Sequence, residues 1–138
     1  MFGTTCSAMI IAPSILTADL SNLAESCQEA IDAGINVLHL DVMDGNFVPN
    51  MTFGPPVIKS LRDALGDDVH FDAHLMISNA EECYMDYINA GCNHISVHVE
   101  ATTHLHRLVM AIRDAGATAG VVLNPATSIE TITEILPD

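Results

Sequence analysis

The sequence predicts an α/β fold in which parallel strands alternate with helices. Five times along its 138 residues, a short apolar run rich in β-branched residues is followed by a segment with helical periodicity. Apolar residues make up 49% of the chain, which is enough to bury a core. Strict alternation predicts parallel strands joined by right-handed crossovers. Periodicity alone leaves open whether these units form an open doubly wound sheet or part of a closed barrel.

The predicted strands are short, nearly continuous apolar runs. In chain order they are Met9–Ile15, Asn36–Met43, Val69–Met76, His94–Val99 and Ala119–Leu123. Runs of this kind are typical of parallel strands, which are covered on both faces.

A predicted helix follows each strand. In chain order the helices are Asn22–Ala33, Pro55–Leu65, Ala80–Ala90, His104–Ala115 and Ser128–Leu136. The prolines that open the second helix suit a first turn. Gly34, Gly91 and Gly116 follow the first, third and fourth helices as C-terminal caps. Ser128 is the expected N-cap of the fifth helix, and Pro137 ends it.

The charge balance excludes some classes of partner. The chain carries 18 acidic against 4 basic residues, and its net charge is -14. We expect no binding to nucleic acid or anionic membrane, because both require Lys and Arg to neutralise phosphate. A phosphate ester is still compatible, since backbone N–H groups at a helix N-terminus bind phosphate without basic side chains.

Cysteine spacing and the first residues favour a cytoplasmic location. Cys6, Cys27, Cys83 and Cys92 show no CxxC spacing, which disfavours a zinc ribbon or redox dithiol and indicates reduced thiols. We expect no signal peptide and no membrane span, because no apolar run reaches about 18 residues. Residues 1–138 are expected to form a single domain, with 1–8 as a flexible extension.

Polar residues interrupt two predicted strands near their C-terminal ends. His39 and Asp41 are two positions apart, so their side chains point to the same face. Asp72, His74 and Met76 share a face of the next strand in the same way. In parallel α/β folds, binding sites lie at the C-terminal ends of the strands. The pattern therefore predicts a functional site at this edge.

His39, Asp41 and His74 suit a divalent metal ion. Imidazole and carboxylate ligands fit Zn²⁺, Fe²⁺, Mn²⁺ or Co²⁺, and three ligands leave positions open for substrate oxygens. The alternative is that each histidine is an ordinary hydrogen-bonded core residue. Repetition on neighbouring strands favours the metal. Asp72 is expected either to orient His74 or to satisfy a buried backbone donor.

The other polar strand residues carry weaker signals. Ser96 and His98 share one face of the fourth predicted strand. We expect His94 on the outer surface. Methionine is more often a core residue than a site residue, so residue type alone places Met43 and Met76 in the core.

The run HLDVMDGNFVPNMTFG, from His39 to Gly54, resembles the signature of ribulose-phosphate 3-epimerases. Segments APSIL from Ala12, DAHLM from Asp72, HVEA from His98 and GVVLNPAT from Gly120 fit the same family in order. The resemblance covers nearly everything from residue 10 onward. It implies a (β/α)₈ TIM barrel, truncated here to about five βα units.

Family members interconvert D-ribulose 5-phosphate and D-xylulose 5-phosphate through an enediolate formed by loss of the C3 proton. By position, the resemblance implies that Asp41 is one proton carrier and also a metal ligand. It implies that His39 and His74 are the other ligands in this chain. The substrate-binding positions that it implies are Ser14, Met43, Met76 and again His74.

The resemblance also implies parts that lie beyond Asp138: a Gly-rich loop, a second catalytic aspartate and the phosphate-binding loops. We therefore expect residues 1–138 alone to give no turnover above background. An allulose 6-phosphate 3-epimerase and a non-catalytic fragment or assembly module are the alternatives. The expected partners are a small sugar phosphate and further copies of the chain, as a homo-oligomer, since open sheet edges promote association.

Overall fold

The computed structural model describes residues 9–137, and the extension expected at 1–8 lies outside them. One four-stranded parallel sheet runs in the order of the chain. Its strands are β1 (Val37–Met43), β2 (His70–Met76), β3 (His94–His98) and β4 (Thr118–Val122). A sequential order is that of a (β/α)₈ barrel, whereas a doubly wound sheet reverses its order at a switch point. The predicted fold class is therefore confirmed, as part of a barrel.

Four α-helices alternate with these strands. They are α1 (Leu23–Asp32), α2 (Pro55–Leu65), α3 (Ala80–Asn89) and α4 (Leu105–Asp114). Short 3₁₀ turns cover Ile15–Thr17, Leu20–Asn22, Val99–Ala101 and Ile129–Ile132. The strands and α-helices agree with the predicted bounds to within one residue at each end. Over residues 9–137, no helix has the length and apolarity required to cross a membrane.

The predicted strand Met9–Ile15 is wrong as a regular strand. Within residues 9–137, its only ladder contact is an isolated bridge between Ser14 and His39, where His39 N donates to Pro13 O at 2.9 Å. Pro13 has no N–H for a ladder, and the Ser14 hydroxyl accepts from Leu16 N at 3.3 Å to start a 3₁₀ turn. The segment is nevertheless held beside β1, which places Ser14 at the site described below.

The predicted helix Ser128–Leu136 is also wrong beyond its first turn. Ser128 caps it as expected, accepting from Glu130 N at 3.3 Å, but only Ile129–Ile132 is helical, as a 3₁₀ turn. β-Branched residues fill this segment and lose side-chain freedom in a helix. The Thr131 hydroxyl also donates to Ser128 O at 2.7 Å, which offers the backbone a competing partner.

The apolar core lies between the sheet and the helices. Alternate residues of β1 and β2 are almost fully buried: Leu38, Leu40, Val42, Phe71, Ala73 and Leu75. Each connection crosses with the same hand in the same direction, so the helices all lie on this side of the sheet. The intervening residues are half-buried and mostly polar. We call their side of the sheet the polar face, and it corresponds to the barrel interior.

One buried arginine links α2 to the start of β2 and β3. Arg62 is 7% exposed, and its guanidinium carbon lies 3.7 Å from the centroid of the Phe71 ring. Its four hydrogen bonds, at 2.7 to 2.9 Å, go to Gly66 O, Val69 O, Gly91 O and Asn93 Oδ1. The guanidinium thus satisfies carbonyl groups where strands begin. Gly91, with a φ of 108°, leaves room for it: a Cβ there would lie 2.8 Å from Arg62 Cγ.

Gly120 in β4 lies where two side chains of β3 approach its backbone. A Cβ at this position would be 2.5 Å from Ser96 Oγ and 2.7 Å from His94 Nε2. We expect Gly120→Ala to lower the free energy of unfolding by about 1–3 kcal/mol, measured by urea denaturation, because the extra methyl overpacks this contact. The double variant Ser96→Ala/Gly120→Ala should recover part of the loss. Equal stability of Gly120→Ala and the parent would contradict the steric account.

Glu81 at the start of α3 holds the chain that leads into α4. Its carboxylate accepts from Thr103 N at 3.1 Å and from His104 N at 3.0 Å. It also accepts from the Thr102 hydroxyl and from Arg107 Nη2, the latter at 3.0 Å. The bond from Thr102, followed by those from His104 N and Arg107, lowers the pKa of Glu81 from 4.5 to about 2.

This shift predicts a specific acid sensitivity. Because the pKa is lower in the folded state, its stabilisation is present above about pH 4.5 and is lost as the pH falls towards about 2. Between those values, the parent should lose more stability than Glu81→Gln, as measured by urea unfolding at each pH. Glu82→Gln, an exposed change on the same helix, is the matched control and should follow the parent. Parallel curves for Glu81→Gln and the parent would contradict the prediction.

Candidate metal centre

β1 and β2 bring His39, Asp41 and His74 together on the polar face. Asp41 and His74 are directly paired in the parallel register, and His39 precedes Asp41 by two positions on the same side. One ligand atom from each of the three residues lies within 4.8 Å of the others. The structure therefore places them close enough to share one ion, and their role as ligands stays a prediction.

One oxygen of Asp41 faces both imidazoles. Asp41 Oδ1 lies 3.3 Å from His39 Nε2 and 3.2 Å from His74 Nδ1. The other oxygen, Oδ2, accepts from the Ser14 hydroxyl at 2.5 Å, which fixes the plane of the carboxylate. Two imidazoles and one carboxylate form a donor set that suits Zn²⁺, Fe²⁺, Mn²⁺ or Co²⁺, whereas Ca²⁺ and Mg²⁺ prefer oxygen ligands alone. The residues present thus fit a transition-metal ion.

Asp72 contacts His39, so both expectations for it are wrong: it neither orients His74 nor satisfies a buried backbone donor among residues 9–137. Asp72 Oδ2 lies 2.8 Å from His39 Nδ1, because these two residues are paired across β1 and β2. The hydrogen bond to Asp72 raises the pKa of His39. Burial opposes ionisation of Asp72, but the bond to His39 and the charges of the nearby histidines together outweigh it and lower the pKa of Asp72.

His74 has a different second partner. Its Nε2 lies 2.8 Å from His98 Nε2, and His98 Nδ1 lies 3.3 Å from Glu100 Oε2. Burial, with a contribution from His98, lowers the pKa of His74, which favours the neutral imidazole that a metal requires. The sequence reasoning assigned no role to His98 and Glu100. Two sequence features pointed to them: His98 shares a strand face with Ser96, and both residues lie in the HVEA segment that fits the family.

The loop after β1 closes one side of the site. The Asp44 carboxylate accepts from Asn46 N and Phe47 N at 2.8 Å, and from Ser78 N at 2.9 Å. These bonds fix the first turn of the loop. The Phe47 ring then packs on the His98 ring, with centroids 4.8 Å apart.

The remaining predicted residues lie as follows. Ser14 bonds Asp41, as described. Met43 and Met76 are paired at the C-terminal ends of β1 and β2, on the polar face just beyond Asp41 and His74. His94 also points to the polar face, so its expected place on the outer surface is wrong. It is paired with Asp72, which fixes its side by strand alternation.

Comparison with known proteins identifies the family. The model of the ribulose-phosphate 3 epimerase family matches residues 10–138. Ribulose-phosphate 3-epimerase of Synechocystis sp. is 44% identical over 131 residues, which cover 94% of this chain and 56% of that protein. The enzyme of the same name from Aquifex aeolicus is 44% identical over 127 residues, which cover 92% of this chain and 56% of that protein.

A plant relative extends the comparison. The chloroplastic ribulose-5-phosphate-3-epimerase of Arabidopsis thaliana is 46% identical over 132 residues, covering 94% of this chain and 46% of that protein. The chain therefore spans about half the length of the curated relatives it matches. The family match over residues 10–138, together with these identities, shows that the chain belongs to the ribulose-phosphate 3-epimerase family.

Proposed function

We propose that this chain supplies the metal-binding, proton-abstracting side of an epimerase site for ribulose 5-phosphate and xylulose 5-phosphate. The observation that carries the proposal is the convergence of His39 Nε2 and His74 Nδ1 on Asp41 Oδ1, at 3.3 and 3.2 Å. The names of the relatives supply the substrate class.

The reaction sets two physical demands. The C3 proton of a 2-keto sugar is a weak acid, so its removal leaves an enediolate whose oxyanion must be stabilised. A divalent ion bound by His39, Asp41 and His74 would supply that positive charge. The second demand is a base within reach of C3.

Asp41 is the proposed base. Its carboxylate lies on the polar face at the C-terminal end of β1, where substrates of barrel enzymes bind. The Ser14 hydroxyl holds Oδ2 and is free to turn to a hydroxyl of the sugar when substrate is present. Asp41 would take the C3 proton as the enediolate forms and give it back when the intermediate collapses.

Met43 and Met76 are proposed to line the position of the intermediate. They are paired across β1 and β2 on the side of Asp41 and His74. Thioether side chains are apolar and polarisable, so they exclude water from an electron-rich intermediate without donating protons to it.

The proposal assigns one proton carrier to this chain, and one carrier serves one side of a planar intermediate. Asp41 alone should therefore exchange the C3 hydrogen with solvent faster than it inverts C3. The test is to incubate the chain with ribulose 5-phosphate and Co²⁺ or Zn²⁺ in D₂O and follow the C3 proton by NMR. Metal-dependent exchange supports the proposal, and absence of exchange in the metal-loaded protein contradicts it. Parallel incubation with allulose 6-phosphate tests the substrate, since faster exchange there would favour the hexulose epimerase.

A non-catalytic assembly module has one observation in its favour. In the described residues β4 has no paired neighbour on its outer side, and an unpaired edge favours association. Homo-oligomerisation stays a prediction, and light scattering measures it. An oligomer that binds no metal and exchanges no proton would favour the assembly role over the enzymatic one.

A further inference from the structure

Each imidazole of the candidate metal centre uses its two nitrogens differently. His39 presents Nε2 to Asp41 and Nδ1 to Asp72, at 3.3 and 2.8 Å. His74 presents Nδ1 to Asp41 and Nε2 to His98, at 3.2 and 2.8 Å. The two rings are thus turned in opposite senses, with one nitrogen towards the centre and one away from it.

This arrangement matters because a neutral imidazole carries one proton. The nitrogen that binds a metal must offer its lone pair, so the proton must sit on the other nitrogen. The partner of that outer nitrogen therefore has to accept a hydrogen bond. A partner that donates would place the proton on the nitrogen that faces the metal, and would weaken binding.

For His39 the acceptor is direct. The carboxylate of Asp72 can only accept, so it favours the proton on Nδ1 and leaves the lone pair of Nε2 for an ion held between His39 and Asp41. The other oxygen, Asp72 Oδ1, is buried and has no hydrogen-bond partner within residues 9–137; His94 Nε2 comes no closer than 4.0 Å. A half-satisfied buried carboxylate contributes little to stability, so its position is better explained by its effect on His39.

For His74 the acceptor is reached through a second ring. His98 Nε2 can accept from His74 only if its own proton sits on Nδ1, which lies 3.3 Å from Glu100 Oε2. Glu100 is itself fixed, because its other oxygen accepts from Asn124 N at 2.7 Å and from the Thr127 hydroxyl. His98 is only 5% exposed, so water does not compete freely for these nitrogens.

We propose that Asp72 and the His98–Glu100 pair are positioning residues that set the tautomers of His39 and His74, so that both rings aim a lone pair at one metal ion. The inference rests on the proposed metal centre and deepens it. Asp72 sets His39 directly, and Glu100 sets His74 through His98.

The test uses conservative amide variants of the whole chain. Asp72→Asn and Glu100→Gln keep size but introduce N–H donors where a carboxylate accepted. We expect each to weaken Co²⁺ binding about 10- to 100-fold, measured by titration of the visible absorption of Co²⁺. Asp114→Asn and Glu130→Gln make the same chemical changes at exposed positions, and both should bind Co²⁺ like the parent.

A second readout separates tautomer control from a structural role. Nitrogen-15 NMR of the Zn²⁺-loaded parent should show the remaining proton on Nδ1 of His39 and on Nε2 of His74. Asp72→Asn should shift the tautomers of His39 and leave His74 unchanged, and Glu100→Gln should do the reverse. The opposite tautomers in the parent would overturn the inference even if a variant failed to fold.

The outcomes also separate this inference from the proposed function. A parent chain that binds no Co²⁺, or binds it equally after His39→Gln, would contradict the metal centre itself. A parent that binds through His39, with unchanged affinity and tautomers in both amide variants, would leave the centre standing and overturn the positioning roles.

Discussion

Asp41→Asn is expected to reduce metal-dependent exchange of the C3 hydrogen of ribulose 5-phosphate by at least about 10²- to 10⁴-fold, the usual contribution of a general base. The amide cannot act as a base, and it also removes the negative charge that lies 3.3 Å from His39 Nε2 and 3.2 Å from His74 Nδ1. The measurement is the loss of the C3 proton signal in D₂O, with metal saturation confirmed for each protein.

The matched control for this experiment is Asp114→Asn, which makes the same chemical change at an exposed position at the end of α4. It should exchange at the rate of the parent. Exchange by Asp41→Asn at the parental rate, with metal bound, would remove Asp41 from the role of base and direct attention to another acceptor on the polar face.

The second large effect concerns stability. Arg62→Met is expected to lower the free energy of unfolding by about 3 kcal/mol or more, because four hydrogen bonds from a buried charged donor are lost together. Val69 O in particular lies in a buried contact with Nη1, at 2.8 Å, and would lose this partner. Met keeps an unbranched apolar stem, so the change isolates the guanidinium, including its contact with the Phe71 ring.

Urea denaturation followed by circular dichroism measures this effect. Arg113→Met, an exposed change near the end of α4, is the control and should alter stability by less than about 0.5 kcal/mol. A similar loss in both variants would show that general charge removal, and not the Arg62 hydrogen bonds, sets the result.

Much of the fold could be predicted because local signals and tertiary packing agree in its central part. α2 begins at its two prolines, which suit a first helical turn, and ends at Gly66, whose φ of 76° is one that glycine adopts readily. The prediction failed at both ends of the described chain, where local hydrogen bonds of Ser14 and Thr131 compete with regular structure. Apolar content was not a sufficient guide there, because Ile10, Ile11 and Ile129 are exposed.

The candidate site also contains some residues that the sequence could place and others that it could not. Two-residue spacing was sufficient to place His39 beside Asp41, since strand alternation is local. The pairing of Asp72 with His39 depends on the register between β1 and β2, which no single strand encodes. His98 reaches His74 in the same way from β3. Such cross-strand partners require coordinates, and they were the residues that sequence reasoning misassigned or missed.

The alternating burial of β1 makes its length as important as its composition. Leu38, Leu40 and Val42 face the helices, and His39 and Asp41 face the opposite way. Deleting a single residue upstream within this strand would turn every following side chain to the opposite side, placing leucines on the polar face and charged groups under the helices. Insertions and deletions among homologues should therefore be confined to loops, and one in mid-strand should eliminate stability and chemistry together.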